Sequence, residues 1–260
     1  MLQDADAEAM ANKVALVTGA AKRIGRAIAL RLAQDGFTLA LHYHSSQREV
    51  RQLAKEIIAA GGTAQLVQAD LSNPSSSKQL IATSIETLGR VDLLVNNAAI
   101  FESDGIATLD LALWRRQFAI NLEAPVFLAA AFSARLPPSV EGSIINIIDS
   151  RVLRLTPQNM SYTLAKSALW TATQTMAQAM APQIRVNAVG PGPTFSNARQ
   201  GDKGLAHEAA GVLLKRAVSG EDVADAVAWL AKARSITGQF ISVDSGLHLA
   251  WRTSEIIEQI

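Results

Sequence analysis

The sequence predicts a doubly wound α/β fold: a single domain with a parallel sheet of about seven strands and helices on both faces. Three observations carry this. Short apolar, β-rich runs alternate with longer stretches whose apolar residues recur at helical spacing. The composition is 49% apolar and only 18% charged, as suits strands that meet helices on both sides and never face water. The 260 residues show no linker-like shift in composition, low-complexity tract or internal repeat, and a chain of this length can bury roughly three quarters of its unfolded surface.

The elements follow in order. The run 14–17 is a first strand, and Ile24, Ala27, Ile28 and Leu32 mark one face of a first helix. Further strands are expected at 37–43, 63–68, 91–95, 143–148, 185–189 and 240–243. Helices fill the intervals, the clearest at 49–60, 75–88, 109–134, 161–180 and 221–231. Pro125 lies inside the 109–134 pattern and should kink or divide it, because proline has no N–H for the helical ladder. Strands joined by helical crossovers run parallel, with right-handed connections. Residues 12–250 form the domain. Residues 1–11 read as a flexible extension and 251–260 as a tail with no assigned role. The segment 192–214, with Pro193, Asn197, Gly201, Gly204 and Gly211, reads as a lid over a site.

Several function classes are excluded. A net charge of +1 with no run of Lys and Arg gives no field to collect a phosphate backbone, so no nucleic-acid partner is expected. The absence of cysteine excludes disulfides, thiol catalysis and Cys-based zinc, and fits a reducing cytoplasm. The N-terminal MLQDADAEAMA carries Asp4, Asp6 and Glu8 and has neither the basic start nor the apolar run of a signal peptide. Gln174 and Gln178 interrupt the longest apolar candidates, so no membrane association is expected. His42 and His44 lack evident third and fourth partners, so no metal is expected.

After the first strand comes Thr18-Gly19-Ala20-Ala21-Lys22-Arg23-Ile24-Gly25, leading into the first helix. Glycines here let the backbone approach a pyrophosphate, whose charge is stabilised by the helix N-terminus; a structural turn is the alternative. The placement marks the fold as Rossmann-type. Many such folds carry an acidic residue about 20 positions on to bind ribose hydroxyls, whereas the second strand here ends Leu41-His42-Tyr43-His44-Ser45-Ser46. Without a carboxylate to repel a 2′-phosphate, and with imidazole, hydroxyls and Arg23 to bind it, NADP(H) is favoured over NAD. The alternative is that Arg23 is a solvated charge and the histidines merely end a strand. Asp70, after the third strand, either accepts from an adenine amino group or caps the next turn. Asn96, Asn97, Ala98 and Ala99 follow the fourth strand, at the end where such sheets bind ligands. Asn97 can instead only tie strands together.

Tyr162 and Lys166 stand four residues apart on one predicted helix face. A cation beside a phenol with an ordinary pKa near 10 makes it a better proton donor or acceptor at neutral pH.

Thr18 to Gly25, Asp70, Asn96 to Ala99, Asn121, Tyr162 with Lys166, and Pro191-Gly192 together resemble the motif series of the short-chain dehydrogenase/reductase family, over residues 13–249. The resemblance implies that Asn121 supports a proton relay, Tyr162 is the general acid/base, and Lys166 lowers its pKa and binds ribose. Gly19, Arg23, Ile24, Gly25, His44, Ser45, Ser46, Asp70, Leu71, Asn97, Ala98, Ala99, Pro191, Gly192 and Thr194 would line the cofactor. It also implies a homotetramer built through the helices near 122–134 and 165–180.

One departure narrows the resemblance. The family's serine thirteen residues before the tyrosine is Asp149 here, with Ser150 beside it. Together with Arg23 for the middle glycine and the His44 strand end, this is similar to the pteridine reductase branch. Phe101 falls where that branch stacks a pterin against nicotinamide, and stacking suits a flat heterocycle. Arg23, Phe101, Asp149 and Tyr162 would then contact the substrate. Asp149 and Tyr162 would deliver the proton that accompanies hydride to a ring C=N. Against this stand Ala99, where that branch usually carries serine, and Ser45, where some members carry arginine. Asp149 can also be merely a buried or capping carboxylate. The rival readings are a carbonyl reductase of the same family and a non-catalytic NADP(H)-sensing regulator.

Overall fold

A computed structural model of the chain describes residues 13–195 and 201–251. The expected extension at 1–11, Asn197 of the expected lid, and 252–260 of the tail lie outside the described residues.

Seven strands form one sheet in the order β3-β2-β1-β4-β5-β6-β7, every pairing parallel. They are β1 Val14–Val17, β2 Thr38–Tyr43, β3 Ala64–Gln68, β4 Leu93–Asn96, β5 Gly142–Ile147, β6 Ile184–Pro191 and β7 Phe240–Val243. The helices are α1 Arg23–Gln34, α2 Gln47–Ala59, α3 Pro74–Leu88, α4 Leu111–Phe118, α5 Ala124–Ser133, α6 Met160–Met180, α7 Gly201–Gly211 and α8 Gly220–Lys232. All seven expected strands form. The fourth starts two residues later than expected and includes Asn96, and the sixth runs on to Pro191. Within 192–214, where no element is expected from the residue pattern, α7 forms a helix.

Side-chain parity along the strands builds two cores. Ala15, Val17, Leu39, Leu41, Val95 and Ile145 pack with Ile28 and Leu32 of α1, Leu53 and Ile57 of α2, and Val223 and Val227 of α8. Val14, Leu16, Ala40, Leu94 and Ile144 face the other way, onto Ile81 of α3, Leu128 and Phe132 of α5, and Met176 of α6. Alternate residues of one strand are thus buried on opposite faces, the physical content of a doubly wound sheet.

The expected long helix at 109–134 is divided. Between α4 and α5 lies a π-helical turn, Ala119–Glu123, whose widened ladder runs from the N–H of Ala124 to the carbonyl of Ala119. Pro125, in the first turn of α5, has no N–H to give to the carbonyl of Asn121 four residues back. The interruption therefore falls at the buried Asn121.

A buried polar ladder ties the sheet to α6. The Nδ2 of Asn96 donates to Asn146 Oδ1 at 2.8 Å, and the Nδ2 of Asn146 donates to Thr173 Oγ1 at 2.8 Å. Among the described residues no helix is long and apolar enough to cross a membrane.

Candidate functional site

The strand order reverses its winding between β1 and β4, and the loops leaving their carboxyl ends open a crevice there. The two loops are sewn together. The Oγ1 of Thr18 accepts the N–H groups of Asn97 at 2.9 Å and Ala98 at 3.0 Å, while the Nδ2 of Asn97 donates to the carbonyls of Thr18 at 2.8 Å and Gly19 at 3.1 Å. Asn97 therefore ties the strands.

The glycine-rich turn is built for close approach. Gly19 has φ +62°, and a Cβ on Gly25 would lie 2.2 Å from the carbonyl oxygen of Gly19. Arg23 holds φ 54°, the left-handed region that glycine adopts freely. This non-glycine strain costs on the order of 1 kcal/mol and is typical of functional turns. Helix α1 starts without a side-chain cap and without an acid in its first turn, an electrostatic setting that favours an anion at a helix N-terminus. The Arg23 guanidinium reaches across to the segment after β6, lying 5.3 Å from the Phe195 ring centre with Nη2 3.5 Å from its carbonyl oxygen.

At the end of β2 the two histidines differ. His42 is buried; its Nδ1 accepts the N–H of Gly19 at 3.0 Å and its Nε2 faces the carbonyl of Ala69 at 3.2 Å. Burial, above all, lowers its pKa to about 4. It is a neutral strut beneath the glycine turn, not a phosphate ligand. His44 and Ser45 are exposed at the strand end, where a 2′-phosphate would fall. Asp70 Oδ1 accepts the N–H of Ser72 at 2.9 Å and its hydroxyl at 2.8 Å, bonds that lower its pKa. It caps the turn into Leu71 as an Asx motif. Pro191 ends β6, and Gly192 packs so closely on Asp244 that a Cβ would sit 2.7 Å from the latter's Cα. Thr194 Oγ1 donates to the Gly192 carbonyl at 2.8 Å.

Beyond β5, the Tyr162 hydroxyl donates to Asp149 Oδ2 at 3.1 Å, and Asp149 Oδ1 accepts the N–H of Arg151 at 2.8 Å. Lys166 is buried and donates to the carbonyl of Ile147 at 2.8 Å, with Nζ 5.8 Å from the Tyr162 ring centre. Phe101 packs edge-to-face on Tyr162 with ring centres 4.8 Å apart. Asp149, Tyr162, Lys166 and Phe101 thus form one cluster. Asn121 sits one layer behind: its Oδ1 accepts the N–H of Ile100 at 3.2 Å, and its Nδ2 donates to the Ile100 carbonyl at 3.0 Å and to Gln117 Oε1 at 2.6 Å. Its side chain is committed to the main chain of Ile100, just before Phe101, and to Gln117.

The electrostatics correct one expectation. The Tyr162 phenol is pushed well above its usual range, by burial first and then by Asp149, and not lowered by Lys166. Burial also raises Asp149, partly offset by the Arg151 N–H and the nearby cations, and lowers Lys166 to about 8. Two acids whose pKa values are both raised thus stand 3.1 Å apart beside an exposed aromatic ring.

A family model described as enoyl-(acyl carrier protein) reductase matches residues 19–248. The chain belongs to the short-chain dehydrogenase/reductase family. Among members of this family, a short-chain type dehydrogenase/reductase of Picea abies is 32% identical over 251 residues, covering 91% of this chain and 93% of that one. A 3-oxoacyl-[acyl-carrier-protein] reductase of Synechocystis sp. is 33% identical over 243 residues, covering 92% and 98%. FolM alternative dihydrofolate reductase 1 from Brucella canis, solved with NADP, is 45% identical with a TM-score of 0.91, covering 95% of this chain and 98% of that one.

Sequence reasoning missed the His42 strut, the Asn96–Asn146–Thr173 ladder, Gln117 and Asp104. Only the histidine carried a signal: a titratable ring within an otherwise apolar strand.

Proposed function

We propose that this protein is an NADPH-dependent pteridine reductase, converting a dihydropterin or dihydrofolate to its tetrahydro form. The observation that carries the reading is the Tyr162–Asp149 hydrogen bond, with Phe101 packed on Tyr162. Most family members hold a serine where this chain has Asp149. The cofactor fits the residues present: a glycine turn closed to side chains, an uncapped helix N-terminus, and a β2 end with hydroxyls and imidazole but no carboxylate. When bound, NADPH supplies the hydride. Gly19 and Gly25 admit its pyrophosphate, Arg23, His44, Ser45 and Ser46 hold its 2′-phosphate, and Lys166 and Thr194 lie towards the nicotinamide ribose and ring. Phe101 stacks the pterin. Tyr162 and Asp149 hold the proton that goes to the ring nitrogen, and the carboxyl also pairs with the aminopyrimidine edge. The high 45% identity to an NADP-bound dihydrofolate reductase supports this reading.

A second reading, carbonyl reduction, draws on the 3-oxoacyl reductase relatives and on Ala99. The two separate in one experiment: NADPH oxidation with dihydromonapterin, dihydrobiopterin, dihydrofolate and a panel of ketones, for wild type, Tyr162→Phe and Asp149→Ser. A pteridine reductase turns over a dihydropterin and loses roughly 100-fold or more with either substitution, the usual weight of a positioned acid. Turnover of ketones alone, little changed by Asp149→Ser, would overturn the pteridine assignment.

A further inference from the structure

Asp104 is a buried acid outside the chemistry above. It is 7% exposed, and both carboxyl oxygens lie 3.2 Å from the N–H of Ser161, while its own carbonyl accepts the N–H of Asn159 at 2.9 Å. Asn159 is the residue at which α6 begins; it has φ 55° and makes no side-chain cap. The first-turn N–H groups of a helix need acceptors, and a carboxyl there is favoured by the helix dipole. The helix that presents Tyr162 and Lys166 is therefore capped from outside, by the loop that presents Phe101.

That loop is pinned at alternate residues. Ile100 is held through both its main-chain groups by Asn121, the Glu102 carbonyl accepts from Gln117 Nε2 at 3.2 Å, and Asp104 is held by α6. Between them Phe101 stands 48% exposed and in contact with Tyr162. The first two pins fasten the loop to α4 and the π turn. Of the three, Asp104 alone fastens it to the helix bearing Tyr162.

We propose that Asp104 is a positioning residue, clamping the Phe101 loop to the first turn of α6 so that ring and phenol meet the substrate in fixed register. This rests on the reading of Phe101 and Tyr162 as the substrate end. Misplacement of reacting groups by about 1 Å can cost 100-fold, and partial loosening should cost about 10-fold or more. The test compares Asp104→Ala, which removes the acceptor, with Asp104→Asn, whose amide oxygen can still accept the Ser161 N–H. Asp104→Ala is expected to lower kcat by about 10-fold or more with KM for NADPH unchanged within about twofold, and Asp104→Asn to restore most of kcat. Wild-type kcat in Asp104→Ala, a parallel rise in KM for NADPH, or failure of asparagine to rescue overturns the proposal.

A second readout needs no substrate. Tyr43 and Tyr162 are the only tyrosines in the chain, so in a Tyr43→Phe background the tyrosinate absorbance reports Tyr162 alone. Adding Asp104→Ala should let the phenol ionise at lower pH while folded, as its contact with Asp149 loosens. An unchanged titration overturns the clamp, even if the pteridine reading has failed.

Discussion

Acid should loosen the cofactor turn through His42. Its ring is neutral in the folded protein, with a pKa of about 4 against 6.5 when free. Because the folded value is the lower one, the unfolded chain binds more protons between those limits, and stability falls as pH drops through that window. The full difference of 2.5 units corresponds to about 3 kcal/mol, of which about 2 kcal/mol is already lost at pH 5. The loss has a local target. Protonation turns Nδ1 from an acceptor into a donor facing the N–H of Gly19, so the first structure to give way is the turn that admits the pyrophosphate. Urea unfolding of wild type and His42→Gln at pH 7.5 and pH 5 tests this, since glutamine can still donate to the Ala69 carbonyl but does not titrate. The variant should be the less stable protein at pH 7.5, and the gap should close by about 2 kcal/mol at pH 5. NADPH affinity should fall more steeply with acid in wild type than in the variant. Parallel stability profiles, within about 0.5 kcal/mol, would refute the strut.

Two further outcomes follow from the site. Gly25→Ala places a Cβ 2.2 Å from the Gly19 carbonyl oxygen and 2.5 Å from Asn97 Nδ2; NADPH binding, followed by fluorescence titration, should weaken by about tenfold or more as the turn shifts away from the phosphates. Lys166, with a pKa of about 8, is an ammonium below that pH and neutral above it, so kcat/KM should fall on the alkaline side near pH 8, and Lys166→Arg should remove that limb from the accessible range.

The layers of the fold were legible because parity and helical spacing are local. Ala15 and Val17 pack on one core and Val14 and Leu16 on the other, as any strand buried on both faces must. Pro125 signalled the break in the long helix, although not that a π turn would place the break at Asn121. In the site, Tyr162 and Lys166 were legible from their spacing, and the glycine turn from its position between a strand and a helix. The rest depends on partners far apart in sequence. The Asp104–Ser161 cap spans 57 residues and the Asn96–Asn146 bond 50, and no local pattern announces either. The direction of the Tyr162 shift was misjudged for the same reason: spacing shows that a cation is near, whereas burial, which wins here, is decided by the whole fold.

Asp149 is where the two functional readings part. Reducing a ketone leaves an alkoxide that takes one proton from one donor, and a tyrosine suffices; the usual serine needs only to hydrogen-bond. Reducing a C=N in a pterin delivers a proton to a ring nitrogen and presents an amide and amino edge that a carboxyl can match. A serine hydroxyl is too weak an acid to give up a proton near neutral pH, whereas burial raises the Asp149 carboxyl above its usual range, towards that of a proton donor. The two groups are 3.1 Å apart, so their protons come off as those of a pair. A pH–rate profile of wild type should show an acid that Asp149→Ser removes, while Tyr162→Phe abolishes turnover across the range. The same acid persisting in Asp149→Ser would return the proton to Tyr162 alone, and with it the case for an ordinary ketone.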